Sequence, residues 1–430
     1  MRNTLRASLR RAGIYTVPLL LNLFFFISLQ ATETLTWQQC LDEAKKAHPD
    51  LYSALASIQQ SEADKRITRG ALLPRLTSSL SAQESGSTEK GGSSAPVYSY
   101  SLSAQQLLFD GHKTSNMISS NEEAVKAARQ NYIAVSGDVR YALRAAFTEL
   151  LKAQDLLGLT REIADRRRMN VRLINLRYNG GREHVGSLGQ ARADLAEAEF
   201  EVSRAQRGLV LARSKLASAL GRDAHTPLSV RGTYSTARMP PGIPSFELLA
   251  KNNPLFQQLD LQRKAARYDL KAARSDCVPE LYLTSSIGRG AVDRVPFDAL
   301  DWNAGVTLSV PIYEGGIGRA KVSRAIAVVS QRNAEEKSGY LRILDTLEEK
   351  WKNFLDAFQM VSVRKKNLAA AIERSTIANA QYSNGLVSFN EWVIIENNLV
   401  SAKKDFLNAE ADLLIAEAQW IQAKGEWLDG

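Results

Sequence analysis

Apolar residues in this chain recur with two periods, and the period changes in the same order twice. Val125, Ala128, Tyr132, Val135, Val139, Ala142 and Ala146 are spaced by three and four, the seam of a coiled coil. Their stretch runs from Lys113 to Arg177, and a second of the same kind runs from Arg319 to Gln381. The second spans 63 residues, so as one helix it would extend about 95 Å. A lone helix of that length leaves its apolar stripe in water, so it must pack on partners within the chain and between chains. Shorter helices are predicted over Trp37 to Gly70 and Ser245 to Asp276, ahead of the long ones. Others are predicted over Leu188 to Leu220 and Asn390 to Leu428, after them.

Between the helices the period falls to two. Trp302, Ala304, Val306, Leu308 and Val310 alternate with Asn303, Gly305, Thr307 and Ser309. Tyr98, Tyr100, Leu102 and Ala104 alternate with Ser99, Ser101, Ser103 and Gln105. Leu76, Ser78 and Leu80 alternate with Arg75, Thr77 and Ser79, and Leu281, Leu283 and Ile287 with Tyr282, Thr284 and Ser286. Such alternation also suits a half-buried sheet of a soluble domain. Here the polar positions are hydroxyls and amides rather than charges, which suits a water-filled lumen. The loops Gln83 to Pro96 and Gly288 to Asp301 are long and polar. Four such strands cannot close a barrel; three chains would supply twelve and leave no open edge.

The two halves are copies. His48-Pro49 and Leu73-Pro74 precede Asn253-Pro254 and Val278-Pro279 by 205 residues. Asp110-Gly111, Tyr178 and Gly221 precede Glu314-Gly315, Tyr382 and Gly425 by 204. The long helices end at Asn179-Gly180-Gly181 and Asn384-Gly385, residues that tolerate the left-handed conformation closing a helix, so each copy ends in an antiparallel hairpin with a glycine-bearing tip. The expected division is a signal peptide over 1–31, a first repeat over 32–221, a linker over 222–244 and a second repeat over 245–430.

The N-terminus carries Arg2, Arg6, Arg10 and Arg11 before the apolar run Val17 to Leu29, with cleavage expected after Ala31. The other reading of this run is an uncleaved anchor. Removing the segment lowers the net charge from +9 to +5, 51 basic against 46 acidic residues, so nucleic-acid binding is not read from the charge. Cys40 follows Trp37-Gln38-Gln39, which does not suit lipid modification, and two cysteines make no disulfide framework. Both are read as structural thiols.

The signal peptide, the duplication, the Leu-Pro strand entries, the Asp110-Gly111 and Glu314-Gly315 exits and the Tyr-x-x-Gly tips together resemble the TolC-like outer-membrane efflux proteins. The resemblance covers essentially the whole mature chain. It implies a mainly helical fold with a small β contribution: long coiled-coil hairpins and four transmembrane strands per chain, a homotrimer sharing one 12-stranded barrel in outer-membrane lipid, and an α-helical periplasmic tunnel. It implies a tunnel end that meets a periplasmic adaptor and an inner-membrane pump. Tip and adaptor-contact candidates are then Asn179, Gly180, Gly181 and Ser187, with Asn384, Gly385, Leu386, Val387, Ser388 and Phe389. Ser388-Phe389-Asn390-Glu391 matches the family's gate motif and makes Glu391 the acidic gate candidate; three copies would favour cations. Its other reading is a solvated glutamate at a helix start. The family's second gate acid is Ile394 here. Tyr382 matches a tyrosine of the family's latch, whereas the latch arginine position holds Val387.

Other signals lead away from catalysis. Gly315-Gly316-Ile317-Gly318 follows a strand and opens a helix, but no parallel strand returns, as a nucleotide-binding unit requires. His48, His112, His184 and His225 have no metal-ligand spacing, and no nucleophile motif occurs. Arg166-Arg167-Arg168 reads as a solvated helix face, with adaptor binding as the minority reading. The sequence therefore predicts no enzyme and no cofactor, but a passive outer-membrane exit duct of an efflux or type I secretion system. The competing class is a periplasmic coiled-coil adaptor or scaffold that never enters a bilayer; the duplicated strand pairs separate the two.

Overall fold

A computed structural model describes residues 33–86, 92, 94–222, 227–234, 242–293, 295 and 299–429. The expected signal peptide lies outside the described residues, as do parts of the expected linker and strand loops. In chain order the elements are β1 (Glu33–Leu35), α1 (Trp37–Ala47), α2 (Pro49–Gly70), β2 (Arg75–Gly86), β3 (Ser94–Phe109), α3 (Lys113–Asn179), α4 (Val185–Ala219) and β4 (Leu228–Val230). They continue with α5 (Phe246–Asn252), α6 (Pro254–Ser275), β5 (Glu280–Val292), β6 (Asp301–Ser309), α7 (Ile317–Ser383) and α8 (Phe389–Ala423). Three pairs of matching helices have equal lengths: 22 residues for α2 and α6, 67 for α3 and α7, 35 for α4 and α8. A 67-residue helix is about 100 Å long.

Each predicted leading helix is in fact two. His48 and Asn253 take extended backbone because the following proline disfavours the helical conformation before it. Their side chains then accept from the backbone N–H of Asp50 and Leu255, capping α2 and α6. The expected linker contains β4, which pairs in parallel with β1. Arg222 grips Glu33 and Glu43 beside this pair, fixing the start of the described chain to the end of the first hairpin. Strands β2 and β5 run further than predicted, to Gly86 and Val292, which shortens both loops. The last helix stops at Ala423, short of the predicted Leu428, and Gly425 follows at φ +85°.

The seam of α3 differs from the predicted one below Val139. Ala142 is exposed, while Ala146 is buried as predicted and is joined by Leu143, Phe147, Leu150 and Leu151. Helix α3 packs along α2, α4, α6 and α8, so a single stripe cannot serve all its neighbours. Helix α6 lies against both α3 and α7, and α7 pairs with α8. One core gathers Cys40, Leu143, Phe147, Leu150 and Leu216 from the first copy with Leu228 of β4, another Leu347, Trp351, Phe354 and Trp420 from the second. Both cysteines are free; burial pushes the Cys40 thiol up to about 12, while Cys277 is exposed.

The larger sheet has the order β2-β3-β5-β6, every pair antiparallel. It joins the helices through tight turns. Asp110 accepts from the Thr114 backbone at 2.7 Å and so caps the entry to α3. At Gly111, φ is +64° and a Cβ would lie 2.7 Å from Val278, so conformation and space both demand glycine.

Candidate functional site

Register turns four alternating strands into two continuous faces. Leu80 pairs with Tyr100 and Arg289; Ser78 with Leu102, Ile287 and Trp302; Leu283 with Val306. Cross-strand partners lie on the same side of a sheet, so Leu76, Leu80, Tyr98, Tyr100, Leu102, Leu283, Ile287, Trp302, Val306 and Leu308 share one face. The other face carries hydroxyls and amides that satisfy one another: Ser79 with Ser101 at 2.8 Å, Ser81 with Ser99 at 2.7 Å, and Asn303 Nδ2 donating to Ser286 Oγ at 2.8 Å. Among the described residues no helix covers the apolar face, on which Leu80 is 82% exposed and Trp302 77%. The outer edges of β2 and β6 have no partner strand among the described residues.

At the far end of the molecule the two hairpin tips pack together. Ile174, Leu188 and Ala191 of the first meet Ala378, Tyr382, Phe389 and Trp392 of the second. Tyr382 is the centre. Its ring stacks on Trp392, centroids 4.5 Å apart and 4° from parallel, and the Arg177 guanidinium lies 4.6 Å from its other face. Its hydroxyl donates to Glu183 Oε2 at 2.8 Å, and Arg177 Nη1 donates to its backbone carbonyl at 2.8 Å. Glu183 also accepts from Ser187 Oγ at 2.9 Å. Burial alone would raise the Glu183 carboxyl, but hydrogen bonds from Tyr382, Ser187 and the His184 backbone outweigh it and hold the group below its ordinary value. Burial, and then the hydrogen bond to Glu183, push the Tyr382 phenol upward.

The candidates fall into three sets. Asn179, Gly180, Gly181, Asn384, Gly385, Leu386 and Ser388 are exposed at the tips, and Val387 is half-buried beside the aromatic cluster. Ser187 and Phe389 are buried within the chain. The left-handed residue of each tip is Gly181 (φ +69°) and Gly385 (φ +76°); Gly180 and Asn384 keep negative φ, so the asparagines do not take the expected conformation. Glu391 is exposed and forms a capping box: its carboxylate accepts from the Ser388 backbone at 3.1 Å, and its own N–H donates to Ser388 Oγ at 3.2 Å. These bonds, backbone first, hold its carboxyl below the ordinary value.

The arginine run is not a solvated face. Arg167 is buried against Asn397 and Asp194, and Arg166 reaches into the second hairpin; only Arg168 makes surface pairs, with Asp165 and Glu199. Sequence reasoning missed Glu183, because a turn residue has no periodicity to reveal it. It also missed Glu396, whose signal was legible: Phe389, Trp392, Glu396 and Leu399 are spaced by three and four, which places a glutamate in an apolar seam. Among the described residues no group of His, Cys, Asp or Glu could hold a metal ion, and no helix is long and apolar enough to cross a membrane.

The family model for outer membrane efflux proteins matches residues 40–222 and 246–426. The outer membrane efflux protein BepC of Brucella suis is 25% identical over 396 residues, covering 86% of this chain and 82% of its own. Among solved structures, CusC superimposes with a TM-score of 0.83 at 20% identity, covering 92% of this chain and 94% of its own. The outer membrane channel CmeC of Campylobacter jejuni superimposes with a TM-score of 0.81 at 18% identity, over 92% of this chain and 87% of that one.

Proposed function

Because this chain belongs to the outer membrane efflux protein family, we propose that three copies form a passive exit duct, closing their sheets into one barrel and their hairpins into one tunnel. The protein is located in the outer membrane, and its family is one of channel proteins. The observation that carries the duct is the uncovered two-faced sheet. Its apolar face in lipid and its hydroxyl face in water satisfy both chemistries at once. With β2 and β6 at opposite edges of an all-antiparallel four-stranded sheet, head-to-tail copies continue the ladder without a break, and three copies make twelve strands. A soluble scaffold would instead leave Leu80, Val306, Leu308 and Trp302 in water.

The helices support the same stoichiometry from their own side. Phe200, Val210 and Leu211 on α4 are exposed, as are Leu341, Met360, Val363 and Ile377 on α7. Each stripe gains a cover if α4 of one copy meets α7 of the next. The division into signal peptide, two repeats and linker belongs to this reading, each repeat supplying one strand pair and one hairpin. In it the exposed tip residues Gly180, Gly181, Gly385 and Leu386 meet a periplasmic adaptor, and an inner-membrane pump supplies the energy. Three Glu391 carboxylates form the narrowest ring, held ionised by their capping boxes and selecting cations.

Planar-bilayer recording of the purified mature protein tests the duct, with cross-linking to count subunits. Stepwise conductance from a cross-linked trimer is expected. A detergent-free soluble monomer without conductance would remove the proposal. Glu391→Gln is expected to lower cation selectivity; unchanged selectivity and conductance would return Glu391 to a purely local capping role.

A further inference from the structure

The apolar face of the sheet is not free of charge. Along the four strands its register places two charged side chains there, Glu84 and Arg289. Glu84 lies at the loop end, level with Pro96, and accepts from Ser94 Oγ at 2.6 Å. Arg289 pairs with Tyr100 and through it stands in line with Leu80. It is half-buried, and among the described residues it has no ion-pair partner. Glu84 is four pairs further on and two strands away, about 14 Å along the sheet. Strand β5 is an inner strand between β3 and β6, so a second copy continuing the ladder cannot set a strand carboxylate beside Arg289. The backbone is also shaped around this residue. At Gly288 a Cβ would run into the Tyr100 carbonyl oxygen and lie 2.7 Å from Ser101 Cβ, so only glycine lets β5 close on β3 here.

Height along the strands gives the charge its meaning. Arg289 is eight residues from Leu281, which stands in the row of Phe109 and Leu308 next to the helices. That is about 27 Å along the strand, or about 21 Å across a bilayer at the usual strand tilt. The apolar band of an outer-membrane barrel is about 25 Å tall, so the guanidinium reaches its outer boundary by extending along its own stem. Tyr98 and Tyr100 stand at the same height, as interfacial aromatics do. A cation facing lipid is costly at the midplane and tolerated where it meets water or an anion. On the lipid side of this boundary it meets the head-group layer, where phosphate is the matched acceptor for a planar guanidinium.

We propose that Arg289, flanked by Tyr98 and Tyr100, holds the phosphate of an outer-leaflet lipid whose acyl chains lie along the apolar face, one such site per copy. The proposal rests on the duct reading, which turns the apolar face to lipid and the loop end of the sheet outward. The test titrates the purified mature protein, in neutral detergent, with hexa-acyl diphosphoryl lipid A and separately with phosphatidylcholine, and counts bound lipid by native mass spectrometry. Wild type is expected to prefer lipid A. Arg289→Gln should weaken lipid A binding about fivefold or more, while Arg289→Lys, which keeps the charge but not the fork, retains most of it. Arg182→Gln, an exposed arginine at the far tip, should change nothing. Equal lipid A binding by wild type and Arg289→Gln, or no preference over phosphatidylcholine, would overturn the site. Complete displacement of lipid A by excess inorganic phosphate would overturn the lipid as its source. The same preparation is recorded in planar bilayers. A conducting wild type without lipid A preference would remove the site and leave the duct, whereas a soluble wild type that never conducts would remove the duct reading and the site with it.

Discussion

The two copies in this chain share a frame but not a filling. Leu143 answers Leu347 across the 204-residue offset, Phe147 answers Trp351, Leu150 answers Phe354, and Leu216 answers Trp420; every one is buried. The first core is mostly aliphatic, whereas the second packs Trp351 against Trp420, centroids 5.1 Å apart with the rings tilted by 56°, and sets Phe354 beside them. The tips repeat the contrast. The second tip supplies Tyr382, Phe389, Trp392 and the Ser388–Glu391 capping box; the first answers with Arg177 and Glu183 and caps α4 through His184. Backbone geometry has therefore been kept while side-chain chemistry has diverged. The helices differ in surroundings too. Helix α3 has neighbours on several sides, while α7 leaves a row of large apolar residues uncovered. The same length of helix acts as an internal pillar in one copy and, on the trimer reading, as an interface in the other.

The sharpest way to break this comparison is through the cores. Trp420→Ala is expected to cost about 3–5 kcal/mol and its counterpart Leu216→Ala about 2–5 kcal/mol, the cavity term following the volume removed. Thermal and denaturant unfolding in detergent would measure both. A loss under about 1 kcal/mol for Trp420 would mean that the aromatic core does not hold the second hairpin. The tips come next. Gly181→Ala and Gly385→Ala each force a side chain into left-handed backbone and should cost about 1–2 kcal/mol. Gly180→Ala, at φ −83°, should be close to neutral. Equal losses at all three would contradict the assignment of one left-handed residue per tip.

The smallest expected effect is on pH. The Glu183 carboxyl is held below its ordinary value in the folded protein, so its contribution is present above the unfolded pKa of about 4.3 and is lost as pH falls through the lower folded value. Glu183 is partly open to water, so the contribution should stay under about 1 kcal/mol. Exchange at residues 378–383 is expected to quicken below about pH 4 in the wild type, and Glu183→Gln should flatten that rise. A variant with the same acid response would move the titration to another group.

Much of this molecule was legible in one dimension. The period change from three-and-four to two marked helices and strands, and prolines and glycines marked their ends. The constant offset marked the duplication, and alternation at Trp302–Leu308 gave the two faces of β6 before any partner strand was known. These properties are local: they follow from which residues lie one turn or one pleat apart. Boundaries failed where a local rule met a competing one, as at His48 and Asn253, where proline overrode an otherwise continuous helical pattern.

What only the tertiary structure decided were the meetings between distant segments. Arg166 looked like surface charge because three arginines in a row normally seek water; the second hairpin, 230 residues on, turned one of them into the partner of a buried glutamate. Tyr382 was singled out from the sequence, but Arg177 on one ring face, Trp392 on the other and Glu183 at the hydroxyl come from three other elements and segments. The short parallel pair β1–β4 likewise joins residues 195 apart. Periodicity reports which face of an element is apolar, because that depends on backbone geometry alone. It cannot report which element arrives to cover that face, because that is settled by packing and by pairing of charges across space. The two-faced sheet was thus written in the sequence, and the joining of the two hairpins was written only in the fold.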